Sequence, residues 1–289
     1  MKAPKFNYIK ANSLQQTLEL LDELGEEGRI IAGGQSLMPT LNMRLSQPNT
    51  LIDINGLQDL EGITLEGEIV KIGALTRHID VAQSSIISKH LSLISKAMPH
   101  VAHVAVRNRG TIGGSIALAD PAAEMPACAL ALGAIMVVES LKGRREITAE
   151  DFFKGLYETE RKPNELLVEI LIPVERPEDI SVFMELAQRH GDFAMAGIAC
   201  IAQVKDKTFK NLKLVYFGSE DKPTLAKKTI ASMLGRTWSG DCCKTVTESL
   251  KEDLSPMTNL QGSSTMKLHL QNVLTGRVLR TALDRAETQ

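Results

Sequence analysis

The apolar positions of the first sixty residues alternate between one helical pattern and several short runs. Four leucines recur at helical spacing from Leu14 to Leu24, Ser13 and Gln16 form a capping box before them, and Gly25 ends the pattern. Short β-branched or apolar runs around Tyr8, in RIIAGG and in TLIDING predict strands, and SLMPTLNMRL predicts a short helix. The pattern indicates alternating strands and helices.

The middle of the chain combines hairpin patterns with helical ones. Residues 60–73 and the IMVVES–REIT pair each predict a hairpin, ELLVEILIP predicts a further strand, and helical spacing from Thr76 to Met98 predicts one helix that Pro99 ends. In the stretch RNRGTIGGSIALADPAAEMP, we expect Asp120 to cap a helix with Pro121 at its first position, leading into MPACALALGA.

The last third of the chain predicts a sheet followed by helices. The segment PVERPEDI, rich in proline and charge, is the best candidate for a domain boundary. Three strand patterns follow it, VFMELAQ, AGIACIAQV and LKLVYFG, and helical patterns then start near Leu225, Cys242 and Met266. The final part should therefore be an α+β domain.

Composition and charge exclude several classes of function. With 43% hydrophobic residues the chain can bury a core, and 33 basic against 35 acidic residues leave no broad cationic surface for nucleic acid. No apolar run reaches the roughly 18 residues of a membrane span, and the N-terminus lacks a signal-peptide pattern, so we expect a cytoplasmic protein. The four cysteines lack C-x-x-C spacing, and His100 with His103 has no evident third ligand, so we expect no metal site.

Two similar glycine-rich segments carry the clearest chemical signal. The first glycine segment (residues 32–36, AGGQS) and the second (residues 111–115, TIGGS) both place two glycines before a hydrogen-bonding side chain. Glycines let consecutive backbone N–H groups approach an anion, so the two segments could hold the two phosphates of a dinucleotide. Each pair could instead serve only a tight turn. Neither segment matches a P-loop or the G-x-G-x-x-G fingerprint.

These segments, extended to AGGQSLMPTLNMRL and RNRGTIGGSIALADPAAEMP, together with ELLVEILIP, resemble the FAD-binding medium subunit of the molybdenum hydroxylase family. This is the family of carbon monoxide dehydrogenase, xanthine dehydrogenase and bacterial N-heterocycle dehydrogenases. The resemblance covers nearly the whole chain and implies a PCMH-type (vanillyl-alcohol-oxidase-like) α+β fold. It implies an FAD-binding domain over residues 1–176, with two α/β subdomains of about 1–56 and 57–176, and a C-terminal α+β domain over residues 177–289.

The resemblance also implies the residues that contact noncovalently bound FAD. The glycine segments would bind the pyrophosphate, Glu124 would reach the ribityl chain in place of the family's usual Asp, and Phe193 would cover the flavin ring. Glu185 falls where many relatives have a Lys near the flavin. The implied FAD-binding set is Ala32, Gly33, Gly34, Gln35, Ser36, Leu37, Thr111, Ile112, Gly113, Gly114, Ser115, Glu124 and Phe193.

The function implied is electron transfer within an oxidoreductase complex. FAD would take electrons from the [2Fe-2S] clusters of a small partner subunit and pass them to an external acceptor, while a large partner subunit would hold the molybdenum cofactor. The resemblance implies that the complex is a dimer of heterotrimers. We expect no catalytic acid or base in this chain. A free-standing FAD oxidase or reductase, or a non-redox nucleotide-binding module, are the alternatives. The substrate is left open.

Overall fold

A parallel sheet forms the start of the chain, in a computed structural model that describes residues 2–288. Its elements are β1 (Asn7–Lys10), α1 (Leu14–Leu24), β2 (Gly28–Ile31), α2 (Leu37–Asn42) and β3 (Thr50–Asp53), with single 3-10 turns at Gly25–Glu27 and Gln58–Leu60. The strands lie in the order β1, β3, β2. Helix α1 packs on this sheet, and at its start the Ser13 hydroxyl accepts the N–H of Gln16 at 3.1 Å. Strands β2 and β3 are parallel neighbours, so their carboxyl ends lie at the same edge of the sheet. Residues 32–36, which follow β2, and residues 54–56, which follow β3, are therefore adjacent there.

A five-stranded antiparallel sheet follows, and it confirms both predicted hairpins and the strand ELLVEILIP. Its strands are β4 (Ile63–Glu66), β5 (Ile69–Gly73), β6 (Ile135–Ser140), β7 (Gly143–Thr148) and, after a small hairpin of β8 (Phe153–Gly155) and β9 (Glu158–Thr159), β10 (Leu166–Pro173). Within the sheet they lie in the order β4, β5, β10, β6, β7.

Short helices connect the strands of this second region. They are α3 (His78–Gln83), α4 (Ser85–His90), α5 (Ser92–Ala97), α6 (Val104–Arg107), α7 (Ile112–Leu118), α8 (Glu124–Leu132) and α9 (Ala149–Phe152). The single helix expected from Thr76 to Met98 is therefore wrong. Ser84 is extended and its hydroxyl accepts the N–H of Ile87 as an N-cap, and Leu91 leaves helical geometry with a fully buried side chain. Local capping and burial override the helical spacing.

The helix start predicted at Asp120 and Pro121 is also wrong. Ala119 ends α7 in the left-handed conformation, with φ of 53°. Asp120 then closes a turn, its Oδ1 accepting the N–H of Ala122 at 2.9 Å, and α8 begins only at Glu124. The Asp120 side chain does accept a local backbone hydrogen bond, as a capping residue would, but this bond closes an Asx turn instead of starting a helix.

The C-terminal part is the predicted sheet followed by helices. Its strands pair antiparallel in chain order, and the helices cover one face. These elements are β11 (Ile180–Leu186), β12 (Ala196–Lys205), β13 (Thr208–Phe217), β14 (Thr224–Leu225), α10 (Lys227–Met233), α11 (Cys242–Asp253) and α12 (Ser264–Ala286). Among residues 2–288, no helix is both long enough and apolar enough to span a bilayer.

Helix α8 lies at the centre of the molecule. Eight of its nine residues are buried, because the five-stranded sheet and the C-terminal sheet contribute to one continuous core around it. Residues such as Ala199 and Phe217 of the C-terminal sheet join that core, while Cys200 and Tyr216 face α12 on the other side. A helix buried on all sides must be apolar all round, as MPACALAL is. Its one acidic residue, Glu124, is at its first position.

Candidate functional site

The first glycine segment connects β2 to α2 and presents unused donors. Within the described part of the chain, the backbone N–H groups of residues 33–36 have no hydrogen-bond acceptor. Gly34 has φ of 71°, which a residue with a side chain adopts at a cost, and the Gln35 side chain donates to the Gly33 carbonyl at 3.0 Å. The segment is therefore a turn with consecutive free amides, as an anion site requires.

The second glycine segment differs from the first. It is the N-terminus of α7, and Thr111 is the N-cap whose hydroxyl accepts the N–H of Gly114 at 3.0 Å. The N–H groups of Ile112 and Gly113 donate to the Thr76 and Ala74 carbonyls at 3.0 and 2.9 Å.

The N–H of Ser115 is also in use, because it donates to the Thr111 carbonyl at 3.1 Å. The expectation that both segments offer rows of free amides is therefore wrong for the second segment, where a helix uses them. This segment offers the positive end of α7, the Ser115 hydroxyl and the exposed backbone of Gly114.

A backbone contact joins the first segment to the residues just before the second. A Cβ atom added to Gly33 would lie 2.3 Å from the carbonyl oxygen of Arg109 and 2.7 Å from Cα of Gly110. Gly113 is packed as tightly against a different partner, because a Cβ there would lie 2.4 Å from the Ala74 carbonyl oxygen. One glycine of each pair is thus required for packing, since no side chain fits there. At Gly114 a Cβ would lie 2.7 Å from the Thr111 hydroxyl, which would have to shift, and no other atom lies within 4 Å.

A polar network that the sequence did not reveal reinforces this contact. The side-chain amide of Asn55 donates to the Ala32 carbonyl at 2.7 Å, and its oxygen accepts from Arg77 at 2.7 Å. Arg77 also donates to the Arg109 carbonyl. Asn55 and Arg77 therefore connect the first segment to the residues before the second. The polar Asp-Ile-Asn sequence at the end of β3 is the available signal, but within TLIDING it predicts only a strand.

Asp53 anchors the network at the edge of the parallel sheet. Its carboxylate accepts from the Tyr8 hydroxyl and from the backbone and side chain of Asn55. Burial raises the pKa of Asp53, but these hydrogen bonds outweigh burial, so its pKa lies below the ordinary value. The carboxylate stays charged at neutral pH and fixes the orientation of Asn55.

An open cleft of about 490 Å³ lies at this edge. Its walls include the first glycine segment and the polar network, namely Tyr8, Ile31, Ala32, Gly33, Gly34, Gln35, Met38, Pro39, Asn42, Asp53, Asn55 and Arg109. Of the sequence-predicted residues, Ala32 to Gln35 line the cleft. Ser36 and Leu37 follow Gln35 directly in the chain, whereas residues 111–115 are not among the residues that line the cleft.

The remaining predicted residues lie around the start of α8 and the end of β11. Glu124 is buried, and burial, with a smaller effect from Asp120, raises its pKa to about 7. The Glu185 side chain is only 2% exposed, and burial, with a smaller effect from Glu124, raises its pKa to about 8. Phe193 is 61% exposed in the loop after β11, where its carbonyl accepts from the Gln261 side chain.

Comparisons with known proteins identify the family. A family model for the FAD binding domain in molybdopterin dehydrogenase matches residues 4–175, and one for the CO dehydrogenase flavoprotein C-terminal domain matches residues 181–282. The chain belongs to the FAD-binding subunits of the molybdopterin dehydrogenases. The resemblance inferred from the two glycine segments, and the FAD-binding α+β fold that it implied, are confirmed.

Relatives of this FAD-binding subunit match it along its length. The glyceraldehyde dehydrogenase medium chain of Sulfolobus acidocaldarius is 35% identical over 280 residues, which are 97% of this chain and 99% of the relative. The carbon monoxide dehydrogenase medium chain of Hydrogenophaga pseudoflava is 32% identical over 282 residues, 98% of each chain. These relatives are subunits of dehydrogenases, so this chain is a subunit of an oxidoreductase.

Solved structures of such subunits superpose closely on this one. A chain of Hydrogenophaga pseudoflava carbon monoxide dehydrogenase, in a form lacking the Mo-pyranopterin moiety of its molybdenum cofactor, matches with a TM-score of 0.95 at 33% identity over 99% of both chains. A chain of quinoline 2-oxidoreductase from Pseudomonas putida 86 matches with a TM-score of 0.93 at 35% identity, also over 99% of both chains.

The buried carboxyls predict how stability depends on pH. Because folding raises the pKa of Glu185 from 4.5 to about 8, the folded chain keeps a proton that the unfolded chain loses above its lower pKa. The free energy of unfolding of the FAD-free chain should therefore fall as pH rises from about 4.5 to about 8. Glu185→Gln should make this decline shallower without abolishing it, since Glu124 and Glu175 also have a raised pKa, of about 7 each. Urea unfolding across this pH range measures the effect, and an unchanged slope in the variant would contradict the assignment.

Proposed function

We propose that this chain is the electron-transfer subunit of a molybdenum-dependent dehydrogenase complex in the cytoplasm. It takes electrons from the [2Fe-2S] clusters of a small partner subunit and passes them to an external acceptor. A large partner subunit holds the molybdenum cofactor and the substrate, and the assembly is a dimer of heterotrimers. The observation that carries the proposal is the match over nearly the full length to chains named as medium chains of dehydrogenases.

We propose that the two glycine segments hold the FAD pyrophosphate in different ways. The free N–H groups of residues 33–36 supply the donors, while Ser115 and the positive end of α7 act from the other side. Glu124 reaches the ribityl chain and Phe193 covers the flavin ring. The full contact set is Ala32, Gly33, Gly34, Gln35, Ser36, Leu37, Thr111, Ile112, Gly113, Gly114, Ser115, Glu124 and Phe193. Ile112 and Gly113 act through their position in the first turn of α7, because their N–H groups already have acceptors.

The residues of this chain position FAD instead of activating a substrate. FAD itself supplies the redox chemistry, since it can accept electrons singly or in pairs. The Asn55–Arg77 network fixes the two segments before FAD binds, which reduces the entropy that binding must overcome. Arg109, which lines the cleft, adds positive charge beside the proposed phosphates.

We propose that the chain divides at residues 176 and 177, with the FAD-binding domain before this point and a C-terminal domain after it. The end of β10 at Pro173 and the start of β11 at Ile180 bracket the boundary. The two family models leave the same interval unmatched, between residues 175 and 181. We propose subdomains of about 1–56 and 57–176, which correspond to the parallel and five-stranded sheets.

Replacing Gly114 by valine should abolish FAD retention. The backbone of Gly114 is exposed, so a β-branched side chain would occupy the space proposed for a phosphate, and its Cβ would also displace the Thr111 hydroxyl that caps α7. We expect the FAD released on heat denaturation to fall at least about tenfold per chain, which requires that binding weaken by more than about 1.4 kcal/mol. The free energy of unfolding should change by only about 1 kcal/mol.

Gly240→Val is the control, because Gly240 is exposed with no atom within 4 Å of a Cβ. Unchanged FAD content in Gly114→Val would refute the pyrophosphate assignment.

Affinity purification of the chain from its native host tests the electron-transfer role. We expect one larger and one smaller protein to copurify, with molybdenum, iron and FAD in the complex. Adding the substrate of the complex should bleach the FAD absorbance only when the iron-containing partner is present. Turnover of a small-molecule substrate by the isolated chain would contradict the proposal and indicate a free-standing flavin enzyme.

A further inference from the structure

Asn55 and Gly56 form the one Asn-Gly sequence in the chain. Asparagine is chemically labile, because its side-chain amide can react with the backbone nitrogen of the residue that follows it. This attack closes a five-membered ring between covalently adjacent residues, so the two groups are always within reach. A glycine at the second position has no Cβ to hinder the attack. The sequence therefore singles out Asn55 among the asparagines as a site of spontaneous modification.

The backbone of Gly56 is open to this reaction. Gly56 is exposed in the turn after β3, and its N–H group has no hydrogen-bond acceptor within residues 2–288. The turn is closed by the N–H of Leu57, which donates to the Ile54 carbonyl at 3.1 Å. The turn therefore leaves the Gly56 nitrogen free to lose its proton to water or base.

Two cations flank the reacting groups. Arg77 donates to Oδ1 of Asn55 at 2.7 Å, so it polarises the carbonyl that would be attacked and stabilises the oxyanion that forms. Lys10 lies beside Gly56, because its Cε atom would be 3.4 Å from a Cβ atom at position 56. Its positive charge favours loss of the proton from the Gly56 N–H. The surroundings thus assist both the nucleophile and the group that it attacks.

The Asn55 side chain also holds the first glycine segment in place. It lines the open cleft, and its Nδ2 donates to the Ala32 carbonyl and to Oδ1 of Asp53, each at 2.7 Å. A carboxylate has no hydrogen to donate, and at this position it would face a carbonyl oxygen and the charged Asp53 across the same short distances. Conversion of the amide to a carboxylate therefore turns two attractive contacts into two repulsive ones.

We propose that Asn55 is a spontaneous deamidation site whose modification ends FAD retention, an inference that rests on the proposed function. The Gly56 nitrogen forms a bond to Cγ of Asn55 and loses its proton. The bond from Cγ to Nδ2 breaks, and Nδ2 leaves as ammonia with that proton. Water then opens the cyclic imide at either carbonyl and leaves aspartate or isoaspartate. The net reaction consumes one water and releases one ammonia, with no change of oxidation state.

Bound FAD should slow this reaction. The free N–H groups of residues 33–36, which we propose to hold FAD, directly follow Ala32, whose carbonyl accepts from Nδ2 of Asn55. Nδ2 must break that hydrogen bond to leave, so a segment fixed by FAD opens less often and lowers the rate. The modification therefore accumulates in chains that have remained without FAD.

Gly56→Ala provides a matched control. Gly56 does not have a positive φ, and a Cβ there would meet only Cε of Lys10 at 3.4 Å and the Ala11 carbonyl oxygen at 3.9 Å, which are ordinary contacts. The added methyl group hinders attack by the backbone nitrogen and leaves the hydrogen bonds of Asn55 unchanged. Asn12, which precedes Ser13, is the internal reference within each chain.

The test incubates FAD-free and FAD-loaded chains at mildly alkaline pH and follows each asparagine by peptide mass spectrometry. In the FAD-free wild type, replacement of NH2 by OH at Asn55 should be at least about tenfold faster than at Asn12 and than at Asn55 in Gly56→Ala. Bound FAD should slow the reaction at Asn55 at least about threefold.

A second measurement follows FAD retention after incubation. Modified wild-type chains, and freshly prepared Asn55→Asp, should each retain at least about tenfold less FAD than the fresh wild type. Incubated Gly56→Ala should retain as much FAD as the fresh wild type. If Asn55→Asp does not fold, as judged by urea unfolding, the comparison of incubated wild type with incubated Gly56→Ala decides the question.

Three outcomes would count against these ideas, and they are distinguishable. An Asn55 that stays unmodified in the FAD-free wild type, or that reacts no faster than Asn12, would refute the deamidation site and leave the proposed function intact. Full FAD retention by modified chains would refute the link between the modification and the cleft. Failure of the fresh wild-type chain to hold FAD would instead refute the proposed function and that link with it.

Discussion

The contact between the backbone of Gly33 and that of Arg109 and Gly110 is the constraint on which the candidate site depends. Gly33 lies in the connection between β2 and α2, and Arg109 and Gly110 lie in the connection between α6 and α7. A Cβ at Gly33 would lie 2.3 Å from the Arg109 carbonyl oxygen. Only a hydrogen atom fits, so the first glycine segment can approach the residues just before the second only if position 33 has no side chain. Asn55 and Arg77 stabilise the arrangement with hydrogen bonds that cross the same junction.

A second constraint comes from α8, which the cores of two sheets bury between them. Because the helix is enclosed, its first residue, Glu124, lies in the interior even though it is charged in water. Burial raises the pKa of its carboxyl to about 7 and that of Glu185, on β11, to about 8. The packing that joins the FAD-binding part of the chain to its C-terminal sheet therefore also sets the proton affinity of these two carboxyls.

The sequence predicted the order of elements well, because apolar periodicity, hairpin patterns and the capping box of α1 are local signals. It failed where tertiary contacts decide the outcome. Asp120 was expected to start a helix but closes a turn, and the segment from Thr76 to Met98 breaks at Ser84 and Leu91. In the candidate site, the pattern indicated both glycine segments but not their difference. Whether a backbone N–H has an acceptor depends on distant residues such as Ala74 and Thr76. The residue pattern within positions 111–115 carries no information about these partners. Asn55 and Arg77 were missed for the same reason, since their partners lie 22 or more residues away.

Hydrogen exchange measured residue by residue, on the FAD-free and the FAD-loaded chain, tests this account most directly. The backbone N–H groups of residues 33–36 have no acceptor within the described chain, so they should exchange rapidly without FAD and slow at least about tenfold when FAD binds. Those of residues 112–115 already have acceptors and should exchange slowly in both states. Rapid exchange at residues 112–115 without FAD, or no change at residues 33–36 when FAD binds, would contradict the division of roles between the two segments.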